Sequence, residues 1–444
     1  MARYAARSAQ HALVLGAALF LIGTAAAQDA TGWAFAPPPV QHEAISLPVA
    51  RGAAIDGTGL LFAVSVPHPR LTFAQRVDGR YEADVNVIAT VQGSVATAPA
   101  GRLYLTTLAD DYAATQDARQ RHITLFGVSW GAGVFPHYFL TIQFARGSDS
   151  RDVQGTLGQV PDYEQPTVGR PIVIERPTAQ ERSALSFQLA AEGGTVPFDR
   201  PAALLVPLHR SGPATTVRFT LKDAEGQTLR SDTQPVTTLP PTYGLDLGTL
   251  AATPGQIAFA PAPADSPLRL GVFDVSALEE GTYTVEIALP DTGLDVVTET
   301  LEVVWPTKPR SMQDDRVAFD ALRAIAVEDE VRQIERGRGG RKWERLANFW
   351  TERDPSPGTP FNELMAEFYA RVDEAAVRFR TTPNGRLDGY TTEQGRLWLR
   401  HGAPADIDRT LPPGGGPREV WTYADGRRYT FEATVPGEPL RRVN

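Results

Sequence analysis

Hydrophobic and polar residues alternate along the first two thirds of the chain and recur at helical spacing along the last third. In LLFAVSV (60–66) and RYEADVNVIAT (80–90) the period is two, and the second run sets Tyr81, Ala83, Val85, Val87 and Ala89 on one face. That is the pattern of a half-buried strand. Similar runs at 101–108, 121–128 and 137–144 are separated by Gly, Pro and Asp turns, which predicts a β-sandwich over residues 56–165. A Pro- and Ala-rich stretch, 28–55, reads as an extended entry segment. Residues 160–177 contain four prolines and read as a joint. Beyond it, runs at 215–232, 268–275, 282–289 and 296–305 predict a second, immunoglobulin-like sandwich over 172–305. Its first hairpin turns around Ala224-Glu225-Gly226, and Leu278 to Tyr283 has the form of a tyrosine corner, in which Tyr283 bonds back to the connection before its strand.

At Trp305-Pro306 the texture becomes helical. Ser311 with Asp314 predicts an N-cap pair for a helix over about 313–326, followed by a second helix to about 336. RGRGGRK (336–342) reads as a flexible basic break. WERLANFWTER (343–353) sets Trp343, Leu346, Phe349 and Trp350 on one helical face, and Pro355 stops that helix. Thr359-Pro360 then predicts the N-cap and first residue of another helix, striped by Phe361, Leu364, Met365, Phe368, Val372, Ala375, Ala376 and Phe379. RDPSPGT between them is a helix–helix corner. Arg396 to Arg400 alternates as a strand, and Asp425-Gly426 predicts a two-residue hairpin turn with Val420 opposite Phe431 and Thr422 opposite Tyr429. The expected fold class is two N-terminal all-β, immunoglobulin-like sandwiches followed by a C-terminal α+β domain, 306–444, holding a helical hairpin and a small antiparallel sheet.

Composition narrows the setting. Arg3 and Arg7, an apolar run from Ala12 to Ile22 and Ala25-Ala26-Ala27 predict a secretory signal (1–27) cleaved after Ala27. The run is too short to span a bilayer, which takes about 20 residues, and no later segment qualifies. Cleavage leaves a net charge of −11, which argues against a nucleic-acid partner. Residues 306–444 carry 23 basic and 22 acidic groups, so the acidity sits in the sandwiches. The absence of cysteine excludes disulfides, thiolate metal sites, a cysteine nucleophile and a cysteine-linked lipid anchor.

The candidate chemistry is sparse. Gly127-Val128-Ser129-Trp130-Gly131 matches the G-x-S-x-G elbow, but that motif needs a following helix, and AGVFPHYFLTIQF after it reads as strand. The histidines of the mature chain show no H-x-x-x-H spacing, so neither metal nor cofactor is expected. Arg353, Asp354, Glu363 and Arg371 flank the corner and read first as caps and salt bridges. Trp398 and Trp421 read as core, with a ligand-lining groove as the sharper alternative.

Taken together, Phe349, Trp350, Arg353, Asp354 and Pro355; Asn362 and Glu363; Tyr369, Arg371 and Phe379; Gly389 to Glu393, Gly395 and Arg396; Gly402 and Pro404; and Glu419, Trp421 and Tyr423 resemble the C-terminal domain of the GWxTD family of exported bacterial proteins. The resemblance covers about residues 306–435. The naming motif reads Gly389-Tyr390-Thr391-Thr392-Glu393, with Tyr for Trp and Glu for Asp, which favours a cap or turn role for Glu393. Gly402-Ala403-Pro404 followed by Glu419-Val420-Trp421-Thr422-Tyr423 is also similar to small periplasmic domains of outer-membrane assembly factors. The resemblance implies an exported, periplasmic or secreted cell-envelope protein of unassigned biochemical role; the modular layout and the failure of each catalytic motif in its context point to a non-catalytic interaction or structural module with an envelope protein partner. The alternatives are a hydrolase using Ser129 or Asp354/Glu363, and a glycan- or peptide-binding module using Trp398 and Trp421.

Overall fold

The structure, a computed structural model, describes residues 40–443 apart from 52–53, 93–96, 118–119, 131–132, 136, 145–149, 157, 161–166, 191, 210–215, 239–242, 246–254, 262–267, 337–339, 382–387, 414 and 436–437. The expected signal segment and its cleavage after Ala27 lie outside these residues. The fold is predominantly β, with several sheets and a C-terminal helical region. It divides into two compact units, one of residues 37–307 and another that contains residues 308–444.

In the β unit, strand β2 (Ala54–Pro67) lies between β1 (Gln41–Arg51) and β5 (Arg121–Trp130). Its LLFAVSV run is apolar almost throughout because both faces are covered. Leu60, Phe62, Val64 and Val66 enter a core with Val85 and Val87 of β3 (Tyr81–Gln92) and Leu140 and Ile142 of β6 (His137–Phe144). Leu61 and Ala63 enter a second core with Ile172 and Ile174 of β7 (Ile172–Glu175), Phe187 of β8 (Ser186–Gln188) and Leu205 of β9 (Ala202–His209). This second core draws on residues from both sides of the expected joint at 160–177, and residues 37–307 form one unit for that reason. Each fully buried Leu or Phe contributes about 1.5–3 kcal/mol.

Further along, β10 (Thr216–Lys222) and β11 (Thr228–Pro235) form the expected hairpin. Gly226 takes φ +81°, and the Asp223 carboxylate accepts the amides of Glu225 and Gln227 at 3.1 and 2.8 Å. Phe219 of β10 stacks on Phe273 of β13 (Leu268–Asp274) at 4.7 Å, which brings two sheets face to face. The Tyr283 hydroxyl, on β14 (Gly281–Ala288), donates to the Glu279 carbonyl at 3.0 Å, the bond expected of a tyrosine corner.

The second unit departs from expectation in four places. The helix expected at 313–326 is a 3-10 turn (310–313), a short α1 (Asp315–Asp320) and another 3-10 turn (321–324). Asp314 caps it, accepting from the Val317 amide at 3.1 Å, because the Ser311 hydroxyl is committed to the Tyr369 carbonyl at 3.1 Å. After α2 (Glu328–Glu335) and α3 (Gly340–Thr351), α4 runs Glu363–Arg378 and starts at Asn362 rather than Thr359-Pro360. The Asn362 side chain accepts from the Met365 amide and donates to the Trp350 carbonyl, both at 2.8 Å. One amide thus caps one helix and satisfies the end of the other, while the Thr359 hydroxyl is spent on the Ser356 and Phe361 carbonyls at 3.0 and 3.1 Å. Leu364, expected in the stripe, is exposed.

The third departure is α5, Glu393–His401, where a strand was expected over 396–400. Leu397, Trp398 and Leu399 are all buried, and Thr392 caps the helix, accepting from the Gly395 amide at 3.0 Å. A five-residue alternating window fits either period; the cap decides it. The last is register. Strands β16 (Asp406–Thr410), β17 (Arg418–Thr422), β18 (Arg428–Glu432) and β19 (Arg441–Arg442) form one antiparallel sheet in that order. Val420 pairs with Thr430 and Trp421 with Tyr429. The turn has three residues, Ala424 to Gly426, with Gly426 at φ +84°, which moves the pairing by one position from the two-residue case.

Candidate functional site

The proline-rich corner gathers charge without gathering it at one point. Arg353 bonds Glu330 at 2.6 Å and stacks over the Phe349 ring at 3.8 Å. The Asp354 carboxylate accepts the Ser356 amide at 2.9 Å, and the Ser356 hydroxyl donates to Glu363. Arg371 pairs with Glu367 one helical turn away and packs under Gly402. These four side chains therefore serve a turn, a cap and the flanks of helices. Trp350 is buried among Phe349, Phe368 and Tyr369.

The GYTTE segment builds the start of α5. Gly389 lies against the end of α4: a Cβ there would stand 2.2 Å from the Ala375 carbonyl oxygen. Gly395 is equally confined, with a Cβ 2.0 Å from the Gly389 oxygen. Tyr390 is buried, the Thr392 hydroxyl donates to the Gly389 carbonyl at 2.6 Å, and Glu393 accepts the Arg442 amide. Arg396 is exposed on α5. The cap of α5 is Thr392 rather than Glu393, whose carboxylate instead holds the tail at Arg442.

Trp398 and Trp421 are 3% and 0% exposed and pack against each other and Phe379. Neither indole presents a face to solvent. The ring nitrogens of Trp398 and Trp421 donate to Glu374 at 3.2 Å and Glu419 at 3.0 Å. Beside this cluster lies a cleft of about 240 Å³. Its walls are the last turn of α4 with Phe379 and Arg380, the first turn of α5, the inner face of β16 and β17, and the tail at 438–440. Glu419 in its floor is saturated: it accepts from Gln394 (2.9 Å), Arg409 (2.8 Å) and Trp421 (3.0 Å).

Sequence reading missed two groups in this unit that matter. Asp373 is buried and accepts the amides of Arg310 at 2.7 Å and Ser311 at 2.8 Å, tying the unit's first turn to α4. Burial raises its pKa against the lowering effect of those bonds. An acid at a core-facing position of a helical stripe was the available signal. Arg380, the other, lines the cleft and carried no signal.

The β unit holds a buried ionic cluster that sequence reading also missed. Glu192 is clamped between Arg121 at 2.6 Å and Arg200 at 2.8 Å. Glu43 faces it; burial, and secondarily the Glu192 charge, push the Glu43 carboxyl up to about 7 from 4.5. One oxygen of Glu43 and one nitrogen of Arg121 are buried without a hydrogen-bond partner. Ser129 lies within strand β5, paired with Gly59 of β2, and the next described elements are strands, not the helix that an elbow requires. Among the described residues no group of three or more His, Asp or Glu is placed to hold a metal ion, and no helix is long and apolar enough to cross a membrane.

No family model matches the chain, and no curated protein matches it. Among solved structures, a biofilm-associated protein BSP domain aligns over 63% of this chain and 54% of its own length, at 9% identity and a TM-score of 0.18. A likeness that weak carries neither fold nor function.

Proposed function

We propose that this is an exported cell-envelope protein of the GWxTD family, with immunoglobulin-like β-sandwiches, whose C-terminal unit binds a protein partner without catalysing a reaction. The observation that carries the reading is the cleft beside Trp421. It lies at the sheet edge, while the family-motif residues around it are occupied as caps, close packing contacts and local ion pairs. The tyrosine-corner bond supports the immunoglobulin-like assignment. The reading of export rests on the N-terminal sequence pattern.

A photo-crosslinking residue placed in the full chain tests this. Leu411, next to the cleft's edge strand, and Val77 and Leu229 in the β unit are all exposed. Crosslinking in the producing cells is expected to give a discrete adduct from position 411 and none from 77 or 229. The same adducts from all three positions, or none from 411, would overturn the reading.

A further inference from the structure

We infer that the cleft and the free edge of β16 together take an extended, carboxylate-bearing peptide segment of the partner, added to the sheet as a further strand. The inference rests on the reading of the C-terminal unit as a partner-binding module. Strand β16 ends the sheet, and among the described residues it pairs only with β17. Its outer N–H and C=O groups are thus a template for another strand. Ile407 and Arg409, two positions apart, line the cleft, while Asp406, Asp408 and Thr410 are exposed. A strand laid along this edge projects every second side chain to the cleft side. At about 240 Å³ the space suits one anchoring side chain rather than a drug-sized ligand, which needs about 300–1,000 Å³.

Charge selects the anchor. Of the cations in the lining, Arg378 is paired with Glu374 at 3.2 Å and Arg409 with Glu419 at 2.8 Å. Arg380 is exposed and has no side-chain partner among the described residues. A guanidinium offers a planar fork that fits a carboxylate with two parallel bonds. Glu438 also lines the cleft and repels an acid, so its neutralisation has a defined sign.

The test uses the full chain and synthetic peptides selected from a display library of random linear sequences. Selected peptides are expected to carry Asp or Glu within an alternating apolar pattern. Arg380→Glu should weaken them about tenfold or more, Arg380→Lys should give an intermediate loss because the charge stays while the two-bond fork is removed, and Glu438→Gln should tighten binding. N-methylation of alternate peptide amides should abolish binding, which loss of a purely side-chain contact would not. Arg380 is exposed, so circular dichroism should be unchanged in its variants. Basic selected peptides, binding that survives both Arg380→Glu and N-methylation, or no selected peptide at all would overturn the inference. If the adduct from position 411 persists in those cases, the partner reading stands and only the strand-addition site fails; if it is also missing, both fail.

Discussion

The two compact units handle charge in opposite ways. In the β unit, Glu192 is 2% exposed and held between Arg121 and Arg200, with Glu43 facing it. In the C-terminal unit these ion pairs are half-exposed: Arg353 with Glu330 across two elements, and Arg371 with Glu367 and Arg378 with Glu374 one helical turn apart. A buried ion whose partner is removed leaves an uncompensated charge in a poorly polarisable interior, while a surface pair is replaced by water. The β unit's charges therefore govern its stability and pH response. In the C-terminal unit the buried Asp373 carboxylate is held by the Arg310 and Ser311 amides rather than by a cation, and the half-exposed pairs are ones that water can replace.

The largest expected effect is Glu192→Ala, which should destabilise the β unit by about 3–5 kcal/mol in denaturant unfolding; a change under about 1 kcal/mol would break the comparison. Next is pH. The folded pKa of Glu43, about 7, lies above its ordinary 4.5, so the native state binds the extra proton between these values. Stability should then fall as pH rises from about 4.5 to 7, by roughly 3 kcal/mol at most. Glu43→Gln should flatten that slope and leave the protein more stable near pH 8; an unchanged slope contradicts the assignment. Gly389→Ala should cost about 1–3 kcal/mol through the contact with the Ala375 carbonyl, measured as a lower unfolding midpoint of the C-terminal unit. Smallest is Arg353→Ala, with an expected loss of about 0–1 kcal/mol. A larger loss would mean that the corner's ions hold the fold together.

Local punctuation made much of the fold legible. The hairpin at Gly226, the Tyr283 bond and the WERLANFW helix all follow from a few neighbouring residues whose preferences agree. The errors share a different cause. Ser311 and Thr359 are good caps by type, but the Ser311 hydroxyl is taken by the Tyr369 carbonyl 58 residues away, and Asn362 is fixed by the Trp350 carbonyl 12 residues away; such partners cannot be read from a window. Arg396 to Arg400 was too short a run to separate two periods. The buried Glu43 and Glu192 were invisible because they come from segments about 150 residues apart, inside a core that crosses the expected joint. Of the candidate site, Arg353, Asp354 and Glu363 were legible as turn and salt-bridge groups of the corner, while the cap at Thr392 was hidden because 396–400 read as strand. The cleft was not, since Phe379, Trp421 and Leu440 meet only when the sheet closes over α4.

The comparison is tested most directly by the affinity of one selected acidic peptide for two charge reversals in the full chain, Arg380→Glu and Arg353→Glu. A drop of about tenfold or more for the first, with no change for the second, is the predicted result. Equal losses in both, or a loss in the second alone, would contradict the assignment of Arg380 to recognition and of Arg353 to a replaceable surface pair.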